Sequence, residues 1–119
     1  QIQPDAVIAV DAVASCEAQR LCAAVQLSTA GIVPGSGVGN ARAAIGQTTL
    51  GVPVLAIGAP TVMDLGGQCM EKETIPAGMI LTPRDIDEKI KLLGRWIGVG
   101  ISLALHTGLD TETVGSFLP

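Results

Sequence analysis

The chain has 119 residues, enough for one globular domain with its own hydrophobic core. Apolar residues make up 48% of the sequence and charged residues 15%, which excludes a disordered chain. The net charge is −4 and the basic residues form no cluster, so we expect no direct binding to nucleic acid. No apolar run approaches the roughly 20 residues of a membrane span, and we expect no membrane association.

A short buried strand is the first predicted element. Residues 6–10 are small or β-branched apolar residues, typical of a strand in a parallel sheet that helices cover on both faces. Ligands of such sheets bind beyond the carboxyl ends of the strands, where Asp11 lies. This position makes Asp11 a candidate catalytic residue. Alternatively, Asp11 only caps an alanine-rich helix that we predict over residues 12–24.

A glycine-rich loop follows a short edge strand predicted at residues 25–28. The loop, residues 29–40, contains glycines that can adopt positive φ and bring backbone N–H groups close to an anion or a substrate. Its glycine spacing matches neither the phosphate-binding nor the dinucleotide-binding pattern. The loop is therefore either a tight structural connection or a substrate-binding wall.

A second buried strand is predicted at residues 52–58, with Pro53 tolerated near its start. We expect residues 59–64 to turn into a short helix that carries Asp64 on its surface. In the alternative interpretation, Asp64 is a second carboxylate near the edge of the sheet. The polar residues 65–78 are expected to form a surface loop.

A long amphipathic helix is predicted after Thr82, the expected N-cap, and Pro83 at the first helical position. Its apolar residues recur every three or four positions between residues 86 and 105. We expect it to end near His106, with Gly108 as the stop and His106 as a cap or surface residue. The apolar face of this helix suits a core or an interface equally well.

The element order predicts an α/β fold with a mostly parallel sheet and a single domain over residues 1–119, closed by a short helix at residues 110–117. The few strands, and an N-terminus with neither Met nor a signal sequence, suggest the C-terminal portion of a longer chain. An odd number of cysteines without a CxxC spacing predicts neither a disulfide framework nor a zinc site. We therefore expect Cys16, Cys22 and Cys69 to be reduced thiols.

Three segments resemble the germination protease family of spore-forming bacteria. Residues 4–15 are similar to the family segment PDxVIAIDALAS, residues 31–40 to GIHPGSGVGN, and residues 51–64 to GIPVIAIGVPTVVD. The start of the long helix and its end at Ala104-Leu105-His106 match the closing helix of the family. The resemblance runs in order over essentially the whole chain.

The resemblance implies an atypical aspartic endopeptidase that degrades small acid-soluble spore proteins during germination, in the cytoplasm of the spore core. It implies a three-layer α/β/α fold similar to that of hydrogenase maturation proteases. Of the family's two proposed catalytic aspartates, one carries over to Asp11, and the other lies in an upstream segment that this chain does not contain. The glycine loop then binds the substrate through Gly35, Ser36, Gly37, Gly39 and Asn40. The family also implies a zymogen and a homo-oligomer, and we expect no metal or other cofactor.

Several positions near the expected site depart from the family pattern, including residues 22–24 and the segment 27–31, where the family has ISDTG. Two further departures concern single side chains. Val33 stands where the family usually has His, and Cys16 where it has Arg. Both changes remove polar groups. They leave open a non-catalytic domain that binds spore proteins or a partner half. A metal-dependent peptidase of the maturation-protease type is the other alternative, and Val33 removes its best candidate ligand. The chain alone, without the upstream aspartate, is expected to be inactive.

Overall fold

A computed structural model of the chain describes residues 2–35, 42–65, 69, 75–76 and 78–116. Residue contacts divide the chain into two compact units, Gln1–Arg84 and Asp85–Pro119. The first unit contains a β-sheet and the second contains two helices. That both units belong to one domain stays a prediction.

The sheet is built around one long central strand. Its members are β1 (Val7–Ala14), β2 (Gln26–Ser28), β3 (Val54–Asp64) and β4 (Ile80–Leu81). β3 pairs in parallel with β1 along most of its length, and antiparallel with β2 and with β4 over shorter stretches. The α/β class is confirmed. The sheet is mixed, however, because two of its three pairings in the described residues are antiparallel, whereas we predicted a mostly parallel sheet.

The helix predicted at residues 12–24 is wrong. β1 continues through Asp11 to Ala14, and only a single 3-10 turn, Ala18–Arg20, follows it. Ala12 and Val13 pair with β3 in register, so the ladder overrides the weak helical preference of the alanines. The predicted edge strand at residues 25–28 is confirmed as β2.

β3 also extends further than we expected. The turn into a helix at residues 59–64 is wrong, because the strand runs on to Asp64. Pro60 lies within this central strand and is fully buried. Proline cannot donate to a ladder, and the register between β1 and β3 shifts at this point. The Pro60 carbonyl accepts the N–H of Cys22 at 2.7 Å, so the irregularity is stabilised by the segment that follows β1.

The core of the first unit lies along β3. Most apolar side chains in the first part of β3 are buried, and Leu21 from the segment after β1 packs in the same core. The buried apolar residues of β3 are Val54, Ala56, Ile57, Ala59 and Pro60. A short helix, α1 (Gln47–Leu50), precedes β3 and ends at Gly51.

Cys16 and Cys69 form a disulfide bond, so the expectation of three reduced thiols is wrong. Cys16 lies two residues beyond β1, and Cys69 lies beyond the end of β3. The neighbouring Ser15 is buried, and its N–H donates to the carbonyl of Val62 at 2.9 Å. Sequence spacing could not reveal this pair, because the partners are 53 residues apart and meet only through the pairing of β1 with β3.

The second unit confirms the long helix and the short helix after it. These are α2 (Ile86–Leu105) and α3 (Thr111–Gly115). α2 begins after Asp85 and not after Thr82, whose hydroxyl instead donates to the carbonyl of Thr61 at 2.9 Å. No helix in the described part of the chain is both long and apolar enough to cross a membrane.

The end of α2 lies close to the predicted position. His106 is its C-cap, and the His106 N–H donates to the carbonyl of Ser102 at 3.0 Å. Gly108 does not adopt positive φ, so the expected left-handed glycine stop is wrong. Before α3, a carboxylate oxygen of Asp110 accepts the N–H of Thr113, and this bond lowers the pKa of Asp110.

Candidate functional site

Asp11 lies within the parallel pair formed by β1 and β3, opposite Gly58. Its Oδ1 accepts the N–H of Ala12 at 2.9 Å, and its Oδ2 accepts the N–H of Gly35 at 3.0 Å. The side chain is half-buried. Backbone donors therefore hold both carboxylate oxygens, one donor from the same strand and one from the glycine loop.

The interpretation of Asp11 as a helix cap is wrong. No helix begins at residue 12, because β1 continues past Asp11. The bond to Gly35 instead joins the two features that the sequence singled out, the carboxylate after the apolar run and the glycine loop. A carboxylate can accept about four hydrogen bonds, so the two backbone bonds leave acceptor capacity for a water molecule or a substrate.

The glycine loop is closed at its base by backbone hydrogen bonds. Ile32 and Ile45 exchange both of their N–H···O=C bonds at 2.8 Å. Closer to the tip of the loop, the N–H of Arg42 donates to the carbonyl of Pro34 at 2.9 Å. These bonds fix the two sides of the loop next to the position from which the loop reaches Asp11.

Gly35 is the loop residue that contacts the carboxylate. Its φ of +78° is a conformation that glycine adopts without steric cost. Because its N–H is bonded to Asp11, this donor is engaged before any substrate arrives. The other residues predicted to bind substrate, Ser36, Gly37, Gly39 and Asn40, lie outside the described residues. Their role stays a prediction.

Replacing Gly31 with alanine is expected to destabilise the base of the glycine loop. Gly31 has a φ of +92°, and a Cβ there would lie 2.5 Å from the carbonyl oxygen of Ile45. Such a contact forces the backbone pair at the loop base to move. We expect Gly31→Ala to lower the free energy of unfolding of the full-length protein by about 2–4 kcal/mol, measured by urea denaturation.

Gly51→Ala is the matched control for this prediction. Gly51 has a similar φ of +74°, but a Cβ there would have no other heavy atom within 4 Å. The control should lose only about 1–2 kcal/mol, the cost of the left-handed conformation alone. Equal losses in the two variants would contradict a steric role of the Ile45 carbonyl.

Two residues that sequence reasoning missed extend a row that begins at Asp11. Gly58 pairs with Asp11 on one side and with Gln26 of β2 on the other. Paired residues project toward the same face of a sheet. A Cβ at Gly58 would lie 3.1 and 3.2 Å from the two Cγ atoms of Val13, so Val13 fills the space above Gly58. Asp11, Gly58 and Gln26 therefore form a row across three strands on one face of the sheet, with the side chain of Val13 above Gly58.

Asp64 is not a second carboxylate beside Asp11. It lies six residues beyond Gly58 on β3, which places it roughly 20 Å along the strand from the row. It pairs with Ile80 of β4. The expectation that Asp64 lies on a helix surface is therefore wrong. Within the described ranges, no group of three His, Cys, Asp or Glu side chains could hold a metal ion.

A model of one protein family matches more than half of this chain. The family model described as germination protease matches residues 1–77, which include Asp11, Gly35 and all of β3. The chain belongs to the germination protease family. The resemblance seen in the three segments is therefore confirmed.

Curated germination proteases are similar to the chain over nearly its whole length. The protein of Caldanaerobacter subterraneus subsp. tengcongensis is 34% identical and that of Clostridium tetani 30% identical, each over 156 aligned residues. Both alignments cover 99% of this chain and 48% of the relative. The protein of Oceanobacillus iheyensis is 60% identical over 62 residues, which are 52% of this chain and 17% of that relative.

The chain thus spans about half the length of the germination proteases with which it aligns end to end. Each 156-residue alignment is longer than the chain itself, so the first two relatives also have additional residues within the matched region. Half of each relative has no counterpart in this sequence, and the activity of the whole protein is accordingly a matter for proposal.

Proposed function

We propose that the full-length protein carrying this chain is an endopeptidase that degrades small acid-soluble spore proteins during spore germination. The supporting observation is the half-buried carboxylate of Asp11, held on both oxygens by backbone N–H groups in a chain of the germination protease family. The proposed location is the cytoplasm of the spore core, and the proposed form is a homo-oligomer made from a zymogen.

The proposed reaction needs a second acid. Among the described residues, Asp11 hydrogen-bonds only to the N–H groups of Ala12 and Gly35. We assign the second acid to an aspartate in the upstream part of the full-length chain. Two carboxyl groups that share one proton divide the work, because one is ionised and the other is protonated.

In this mechanism the ionised Asp11 accepts a proton from a water molecule whose oxygen attacks the scissile carbonyl carbon. The protonated partner aspartic acid donates a hydrogen bond to the carbonyl oxygen, where negative charge develops. When the tetrahedral intermediate collapses, the C–N bond breaks and the proton on Asp11 passes to the leaving nitrogen. The N–H of Gly35 fixes the direction of the carboxylate throughout.

The mixed sheet and its helices support a finer proposal for the fold. The whole protein would form a three-layer α/β/α structure similar to that of hydrogenase maturation proteases, with this chain as its C-terminal part. The parallel pair of β1 and β3 is the element on which such a sheet would grow.

Incubating the full-length protein with a small acid-soluble spore protein tests the function. We expect cleavage at a few discrete bonds, which gel electrophoresis and mass spectrometry would detect. We expect a metal chelator to leave the cleavage rate unchanged. Denatured casein is the matched general substrate, and it should be cleaved more slowly. The 119-residue chain alone should cleave neither protein.

Two outcomes would replace this proposal. Loss of cleavage with the chelator and recovery with added metal would favour a metal-dependent peptidase. Binding of the spore protein without cleavage, after removal of any N-terminal propeptide, would favour the non-catalytic binding domain that the loss of His at Val33 keeps open.

A further inference from the structure

We propose that Gln26 is a substrate-positioning residue whose side-chain carboxamide binds the backbone of an extended polypeptide held beside Asp11. The proposal rests on the proposed peptidase function, which it deepens by naming a residue that contacts the substrate away from the reacting atoms. No feature of the sequence around Gln26 identifies it, and only the strand register brings it to the site.

Two observations together place Gln26 on the same sheet face as Asp11. The first is the register, because Gly58 is the partner of both residues. The second is the direction of the Cβ that Gly58 lacks, which would meet the side chain of Val13. Val13 is two residues from Asp11 on the same strand and therefore shares its face. The face that carries Asp11 and Val13 is thus also the face of Gln26.

The spacing of the row suits one extended chain. Asp11 and Gln26 are separated by two strand spacings, which corresponds to about 10 Å between their Cα atoms. Gly58 contributes no side chain between them, and the atoms nearest to the position of its missing Cβ belong to the isopropyl group of Val13. A polypeptide lying on Val13 would have a carboxylate along one side and a carboxamide along the other.

The Gln26 carboxamide is available for such contacts. The residue is exposed, and its side chain makes no hydrogen bond to any other described residue. Ser28, two positions along the same strand, is different, because its hydroxyl accepts the N–H of Ala30 at 3.0 Å. A carboxamide offers two donors and one acceptor oxygen, and so it can bond to both the carbonyl and the N–H of a peptide backbone.

The test compares Gln26→Met with the unaltered full-length protein, because methionine retains the length of the side chain without its hydrogen bonds. We expect KM for a small acid-soluble spore protein to rise about tenfold, with kcat changed less than twofold and the melting temperature unchanged. Gln19→Met is the control, since Gln19 is also exposed but lies on the 3-10 turn after β1. The control should leave KM and kcat unchanged.

Binding measurements separate this proposal from the peptidase function itself. In an Asp11→Asn background, in which we expect turnover to be at least a hundredfold slower, isothermal titration with the same spore protein should show about tenfold weaker binding after Gln26→Met. An unchanged affinity would overturn the positioning role whether or not the unaltered protein cleaves. A fall in kcat or in melting temperature without a change in affinity would also overturn it, and so would the absence of binding when Gln26 is present.

Discussion

Asp11→Asn is expected to lower kcat/KM of the full-length protein by about a hundredfold to ten-thousandfold, the usual contribution of a general base. Asparagine has nearly the same shape, so the strand pairing with Gly58 is retained. Its amide cannot take the proton of the attacking water. The carboxylate of Asp11 accepts hydrogen bonds from two backbone N–H groups, those of Ala12 and Gly35. The side-chain NH2 of asparagine must face one of these two donors, so that donor loses its acceptor.

The measurement is the cleavage rate of a small acid-soluble spore protein, with the melting temperature recorded on the same samples. Asp5→Asn is the matched control, because Asp5 is exposed and lies just before β1. It should retain full activity. Full activity of Asp11→Asn would remove Asp11 from the chemistry and leave it only the structural task of holding Gly35.

Loss of the Cys16–Cys69 disulfide is expected to have the largest effect on stability. The bond joins residues 53 positions apart and closes a loop that contains β2, the glycine loop and all of β3. In the chain-entropy account, releasing a loop of this length lowers the free energy of unfolding by about 4 kcal/mol. We expect the double variant Cys16→Ser, Cys69→Ser to show this loss in urea denaturation of the oxidised full-length protein.

Reduction provides the internal control for the disulfide. A dithiol reductant should bring the unaltered protein to the stability of the double variant and should leave the double variant unchanged. Cys22→Ser should retain the response to reductant, because Cys22 is not part of the bond. A denaturation midpoint of the unaltered protein that does not respond to reductant would show that the bond does not form in solution.

Sequence patterns predicted the elements that local physics determines. The apolar run at residues 6–10, the edge strand and the amphipathic periodicity of α2 each depend on side chains within one segment, and each was found. The errors occur where distant pairing decides. Ala12 to Ala14 favour a helix in isolation, yet they join β1 because β3 offers them partners. Pro60 reads as the end of a strand, yet it is accommodated by a shift in register.

The candidate site was predictable in its parts and not in its arrangement. Asp11 and Gly35 were both singled out, Asp11 from its place after the apolar run and Gly35 from the glycine-rich segment and the family resemblance. Their hydrogen bond depends on how the loop folds back over β1, which no local pattern encodes. Gln26 escaped notice for the same reason, because its neighbourhood exists only once β1, β3 and β2 are aligned.

The central place of β3 gives the two sides of the row different local stabilities. β2 is attached through three residue pairs, whereas β1 is attached through eight. Short, exposed pairings open locally at low free-energy cost, and longer ones open only with the unit as a whole. β2, which carries Gln26, can therefore separate from β3 and pair with it again while β1, which carries Asp11, stays paired with β3. We therefore expect β2 to open in local fluctuations, whereas β1 opens only when the sheet unfolds.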